Sequence, residues 1–153
     1  MLDVKNCFTY AYSAGTAADF EQAICNAGAA EASTNLIDLG VDGVDLVGDN
    51  LPYLVVKSTE ICAGTGTTLT ITLENDTAVG FNTALKQVFS TGAIPKARTT
   101  AGTILVNQQL PAGRYSRYMR LMFTGDNTFE TTGKVVAYLA ASPEPNGALL
   151  DQV

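Results

Sequence analysis

Arg114-Tyr115-Ser116-Arg117-Tyr118-Met119-Arg120-Leu121-Met122-Phe123 decides how the rest of the chain is read. It follows Leu110-Pro111-Ala112-Gly113, a turn signal. From Tyr118 onward it alternates, with Tyr118, Arg120 and Met122 on one side and Met119, Leu121 and Phe123 on the other. A period of two places these sets on opposite faces of a strand. The apolar set can enter a core, and the Arg and Tyr side chains then stand on the other face of a sheet. Basic and aromatic groups on an ordered strand suit a protein contact. Parity before Tyr118 is broken by the turn, so Arg114, Tyr115 and Arg117 are not assigned to a face. They read either as solubilising surface residues or, with Tyr118 and Arg120, as an Arg/Tyr-rimmed contact surface that pairs with partner carboxylates.

The same alternation recurs along the chain. Thr67 to Glu74 is the cleanest case, with Leu69, Ile71 and Leu73 inward and Thr70 and Thr72 outward. Further strands are expected at Thr34 to Leu39, Tyr53 to Glu60, Leu85 to Thr91, Thr103 to Leu110, Tyr118 to Phe123 and Lys134 to Ala140. Asn75-Asp76 opens a turn, and residues 40 to 51 read as an acidic loop. Short strands separated by Gly-, Pro- and Asp-containing turns predict an all-β protein, a jelly roll or β-sandwich of about eight short antiparallel strands. Residues 16 to 32 are Ala-rich and read as a short helix or an irregular surface segment. Phe8, Tyr10 and Tyr12 alternate in the N-terminal stretch, which is either a short strand or an arm lying on a neighbour. The expected organisation is an N-terminal arm or peripheral segment over 1–31, a core over 32–141 and a flexible tail over 142–153.

With 153 residues and 46% apolar content the chain supports one substantial core rather than disorder. Its formal net charge of -6 argues against a general nucleic-acid binder. The charges are uneven: residues 1 to 76 hold 11 acids against Lys5 and Lys57, and residues 77 to 153 hold 4 acids against 7 basic residues. Such halves can meet in a repeating assembly or lie on opposite faces by accident. No 18-residue apolar span is present, so no transmembrane helix is expected, and the first residues lack the pattern of a signal peptide.

Candidate chemistry is sparse. There is no His, which removes Ser-His-Asp and Cys-His pairs within the chain and any mixed Cys/His zinc site. Cys7, Cys25 and Cys62 are odd in number and widely spaced, and read as three reduced thiols. The Asp42, Asp45 and Asp49 loop lacks EF-hand spacing and reads as solvated. Gly64-Thr65-Gly66-Thr67-Thr68 has neither the following Lys nor the helix of a phosphate loop, and reads as a turn between strands. Glu60 and Glu74 form a carboxylate pair only if their strands are neighbours. No catalytic residue, metal or cofactor is expected.

Several stretches carry a family resemblance. They are Ala32-Ser33-Thr34-Asn35-Leu36-Ile37-Asp38-Leu39-Gly40, Tyr53-Leu54-Val55-Val56, Thr68-Leu69-Thr70-Ile71-Thr72-Leu73-Glu74, Phe89-Ser90-Thr91-Gly92-Ala93-Ile94-Pro95, Leu110-Pro111-Ala112-Gly113, Arg117-Tyr118-Met119-Arg120-Leu121 and Thr132-Gly133-Lys134-Val135. In this order the chain resembles the capsid cement, or decoration, proteins of tailed bacteriophages, the family typified by the cement protein of a short-tailed Bordetella phage. The resemblance implies a non-enzymatic jelly-roll protein on the outer surface of an icosahedral virion, assembled in the bacterial cytoplasm. It implies the major capsid protein as partner, with the chain bridging its subunits against the pressure of packaged DNA. It also implies a homodimer, with trimers known among related decoration proteins, and no membrane or direct nucleic-acid contact. The Phe8 to Ala30 stretch is longer and more aromatic than the family pattern. The rival reading is a receptor- or carbohydrate-binding β-sandwich module of a virion fibre. A cleft gathering Tyr115, Tyr118 and Tyr138 would mark it, although the lack of Trp weakens it.

Overall fold

The computed structural model describes residues 4–10, 20–24, 30–47, 51–127 and 132–144. Among them the regular secondary structure is β-strand apart from two 3-10 turns, Val4–Asn6 and Lys96–Arg98. The strands are β1 (Gln22–Ala23), β2 (Glu31–Ala32), β3 (Ile37–Asp38), β4 (Val44–Leu46), β5 (Tyr53–Ala63) and β6 (Thr68–Asp76). They continue as β7 (Lys86–Ser90), β8 (Ile94–Pro95), β9 (Ile104–Gln109), β10 (Gly113–Tyr115), β11 (Tyr118–Gly125) and β12 (Thr132–Ala140). Two antiparallel sheets result. The first has the order β1-β12-β5-β9; the second has β2-β11-β6-β7, with β3 also on β11 and β8 also on β6. A separate ribbon joins β10 to β4.

The alternation seen in the sequence builds the interior. Leu69, Ile71 and Leu73 of β6 and Met119, Leu121 and Phe123 of β11 are buried, as expected. Leu54 and Val56 of β5, Val106 of β9 and Val135 and Ala137 of β12 belong to the same apolar cluster. Both sheets therefore turn one face to a shared core. β6 and β11 stay in register for eight residue pairs, from Tyr118↔Asp76 to Gly125↔Leu69. That fixes which face of each strand is inside, since a one-residue slip would turn every side chain over.

The N-terminal stretch is not a detached arm where it is described. Phe8 is fully buried in the core cluster. Phe8 N donates to Ala137 O at 2.8 Å, and Cys7 bridges Tyr138, so this segment and β1 together pair the free edge of β12. Residues 22–23 and 31–32, within the stretch read as a short helix or an irregular surface segment, are strands. Their partners on β12 and β11 outweigh a helical propensity that rests mainly on Ala. The core thus begins before residue 32. The loop expected over 40 to 51 contains β4, because Val44–Leu46 finds a partner in β10.

Gln22 closes this side of the molecule. Its buried amide donates to Ala32 O and accepts from Thr34 N, both at 2.8 Å, which ties the first sheet to the second. Asn35 adds a second tie, since its N and Nδ2 donate to Phe8 O and Cys7 O, both at 2.8 Å. Gly133 sits at a break in the β12–β5 register with φ +145, and a Cβ there would stand 2.9 Å from Cys62 Sγ. Cys7 and Cys62 are buried free thiols, and burial pushes the Cys62 thiol up; Cys25 lies outside the described residues.

The core assignment predicts that Ile71→Ala costs about 2–5 kcal/mol, the range for emptying a fully buried aliphatic site. Urea unfolding with an unchanged slope checks it. A loss within the scatter of exposed-site variants would place Ile71 outside the core.

Candidate interaction surface

The outward side chains of β11 and β6 build the site named by the opening stretch. Paired residues of antiparallel strands share a face. The register therefore sets Tyr118 beside Asp76, Arg120 beside Glu74, Met122 beside Thr72 and Thr124 beside Thr70. Tyr118, Arg120 and Met122 are half-buried along this outer face.

Each Arg on the face has a partner within its own chain. Arg120 Nε lies 2.8 Å from Glu74 Oε2, and its guanidinium lies 4.2 Å from the centre of the Phe81 ring. Arg117 makes a two-pronged contact with Asp38, Nε to Oδ1 at 2.8 Å and Nη2 to Oδ2 at 2.9 Å. The Arg117 bonds, with a further one from Gly40 N, hold the Asp38 carboxyl below its usual range. Arg117 also sits 4.9 Å from the Tyr118 ring centre, a cation–π distance. Within the chain, Asp38 and Glu74 are the carboxylates that these two guanidiniums pair with.

The other sequence candidates are dispersed. Tyr115 faces inward at 2% exposure, and its hydroxyl donates to Pro111 O at 2.7 Å. Burial pushes its pKa up to about 12, so it remains a protonated donor at neutral pH. Phe8 is likewise interior, so neither Phe8 nor Tyr115 is presented to a partner. Tyr10 packs on Phe20 with ring centroids 5.3 Å apart, and Tyr12 lies outside the described residues. Arg114 is exposed on the β10–β4 ribbon, where its guanidinium covers Gly43. Gly43 has φ +75, and a Cβ there would overlap that guanidinium. The surface that remains is Arg117, Tyr118, Arg120 and Met122.

Two carboxylates that sequence reasoning did not single out shape its surroundings. Asp76 is buried at the end of β6 and accepts from Ala78 N, Thr83 N and Ala84 N at 3.0–3.1 Å and from Thr77 Oγ1 at 3.3 Å. Burial pushes its pKa up, but these four donors together pull it below the usual range. They lock the loop that carries Phe81 at φ 51 onto Arg120. Asn75-Asp76 was legible as a turn opener, and an Asp that caps its own following amides is the physical content of that signal. The loop leaves Val79 62% exposed, and a groove of ≈ 270 Å³ runs between Val79, Phe81 and Arg120 and Ser33, Thr34 and Leu36.

Asp126, just beyond β11, accepts from Thr67 N at 2.8 Å, Thr68 N at 3.0 Å and the Thr67 hydroxyl. The Thr67 hydroxyl first, then the two amides, hold its carboxyl far below the usual range. Two amides of the Gly64 to Thr68 turn, those of Thr67 and Thr68, are thus already donated to Asp126. Glu60 and Glu74 lie in different sheets, Glu60 at 3.9 Å from Lys134 and Glu74 on Arg120. Among the described residues no group of acids and thiols is gathered for a metal ion.

The match to known proteins falls on this two-sheet body. A protein-family model described as Bbp16 matches residues 19–139. The chain belongs to the Bbp16 family. The matched span opens just before β1 and closes within β12, so it takes in every strand of both sheets. The Phe8 segment lies before it although it fills the core. No curated protein matches the chain.

The Asp76 and Asp126 bonds set an acid limb. Both carboxyls titrate lower when folded than in the unfolded chain, so their contribution is present above about pH 4 and is lost as pH falls through the depressed folded values. Asp126→Asn should lower stability near neutrality and flatten its dependence below about pH 4. Urea midpoints measured from about pH 2 to 7 check this. Parallel curves for the two proteins would remove Asp126 from the acid limb.

Proposed function

We propose that the chain is a non-enzymatic virion protein that binds the outer surface of an icosahedral phage capsid and stabilises it by bridging major capsid protein subunits. The order of cement-like segments between residues 32 and 140 carries this reading. Those segments fall on β2, β3, β5, β6, β7, β8, β11 and β12, so the resemblance concerns both sheets. The finer fold that it implies, a jelly roll, is supported by strand order. Count β1 as first, β2 with β3 as second, β5 third, β6 fourth, β7 with β8 fifth, β9 sixth, β11 seventh and β12 eighth. One sheet then reads first-eighth-third-sixth and the other second-seventh-fourth-fifth, the interleaving of two Greek keys. Tyr115 returning its hydroxyl to the carbonyl four residues upstream is a corner device of such sandwiches.

The outer face of β11 and β6 suits docking to a broad, ordered surface. Its side chains are held by Glu74, Asp38 and the Asp76-locked loop, so little order must be imposed on binding. A single exposed ion pair contributes only about 0–1 kcal/mol, so attachment must come from desolvated aromatic and apolar contacts repeated over many copies. Homo-oligomerisation would supply part of that repetition. The fibre-module alternative has no comparable support: Tyr115 is in the core, Tyr118 is on one sheet and Tyr138 is on the other.

The test compares shells with and without the protein, heated under identical conditions. Wild type should bind and raise the temperature of DNA release. Tyr118→Glu with Met122→Glu should abolish binding while leaving the far-ultraviolet circular dichroism unchanged. Absence of binding to shells by the wild-type protein would defeat the proposal. Binding without a change in DNA release would leave decoration and remove stabilisation.

A further inference from the structure

The two sides of the sheet pair are closed differently. On one side Gln22 and Asn35 join the sheets. On the other, β9 ends the first sheet and β7 the second, and neither has a further strand beside it among the described residues. A groove of ≈ 260 Å³ lies between these edges. Its lining takes consecutive residues from each strand, Leu105, Val106, Asn107 and Gln108 of β9 and Phe89 and Ser90 of β7. Consecutive rather than alternate residues mean that the groove runs along strand edges, where main-chain groups are found, and not over a sheet face.

Arg98 is the one charged side chain among the described residues that line it, and the nearest acid along the lining, Glu144 on Asn107, turns its carboxylate to the Tyr138 hydroxyl. Residues 77–125 contain Lys86, Lys96, Arg98, Arg114, Arg117 and Arg120 and no Asp or Glu. Arg117 and Arg120 are neutralised by Asp38 and Glu74. Arg98 lines the groove and is exposed, and Lys86 opens the same edge at the start of β7. Neither has a carboxylate within salt-bridge distance among the described residues, and no acidic residue lines the groove among them.

We propose that this edge groove receives an extended acidic segment of a partner protein, which adds to β9 as a further antiparallel or parallel strand and sets its carboxylates against Arg98 and Lys86. Main-chain pairing supplies the attachment and the cations select the sign of the partner. The site is on a different part of the molecule from the Tyr118 face and does not depend on capsid attachment.

A fluorescent peptide of alternating Glu and Thr is the probe. It should bind the intact protein, bind more weakly at high salt, and protect the amides of residues 104–109 from hydrogen exchange. The same peptide N-methylated at alternate residues keeps its charge and loses strand pairing, and should bind at least about tenfold more weakly. Arg98→Glu should weaken binding about tenfold or more without shifting the melting temperature, and Lys86→Glu provides an independent charge reversal on the same edge. No binding, equal binding of the N-methylated peptide, or indifference to both reversals would overturn the proposal. Self-association of the protein alone that Arg98→Glu abolishes would assign the groove to a second copy and overturn the heterologous partner.

Discussion

Everything else in the molecule depends on the pairing of β6 with β11 over a shared apolar stripe. Eight register pairs hold Leu69, Ile71 and Leu73 beside Met119, Leu121 and Phe123. The first sheet answers with Leu54, Val56, Val135 and Ala137. Burial of such side chains is worth about 1.5–3 kcal/mol each against exposure, so one inward register is strongly preferred. That preference turns Tyr118, Arg120 and Met122 outward with no further instruction. The candidate surface is thus a geometric consequence of the core.

Polar contacts decide what the core leaves open. A buried amide without partners costs about 1–3 kcal/mol, so Gln22 at 3% exposure must be satisfied where it stands. Its two bonds to the Ala32–Thr34 segment do this and also join the sheets. On the outer face of the first sheet, Tyr138, Val55 and Asn107 stand abreast on three strands. Asn107 grips the backbone of Glu144 at 2.8 and 3.2 Å, and the Tyr138 hydroxyl donates to the Glu144 carboxylate. That contact covers Val55, which is fully buried yet outside the shared core. Among the described residues no further strand pairs the outer edge of β9 or of β7.

Legibility in the sequence followed the range of the interaction. Period-two alternation is local, so β6, β11 and their inward residues were readable, and β5, β7, β9 and β12 were placed within a few residues. β1 and β2 were not. They are two residues long and exist because β12 and β11 offer edges far away in the chain. Composition there reads as a short helix or an irregular segment, and the Phe8 stretch as a short strand or an arm. Tyr115 was indistinguishable from Tyr118 in the sequence, because the Pro111–Ser116 turn breaks parity between them. Asp76 was visible as a turn residue, but the four donors that converge on it come from the folded loop.

Charge was the least transferable reading, for a reason specific to β-sheets. Strand neighbours are distant in sequence, so an acid can neutralise a base 79 or 46 residues away, as Asp38 does for Arg117 and Glu74 for Arg120. The most basic-looking stretch of the chain therefore becomes a largely neutral, stacked surface of guanidinium and aromatic planes. Its strength as a contact rests on desolvated area and rigidity rather than on net charge. Among the described residues Lys86 and Arg98, which the linear sequence does not single out, have no carboxylate within salt-bridge distance. Arg98 lines the groove between β7 and β9, and Lys86 begins β7, whose outer edge has no further strand among the described residues. An edge that carries Lys and Arg resists pairing with a like edge of another copy, since the cations would then meet. The same cations favour an acidic strand, so the arrangement that protects the fold from uncontrolled pairing also selects the partner it can accept.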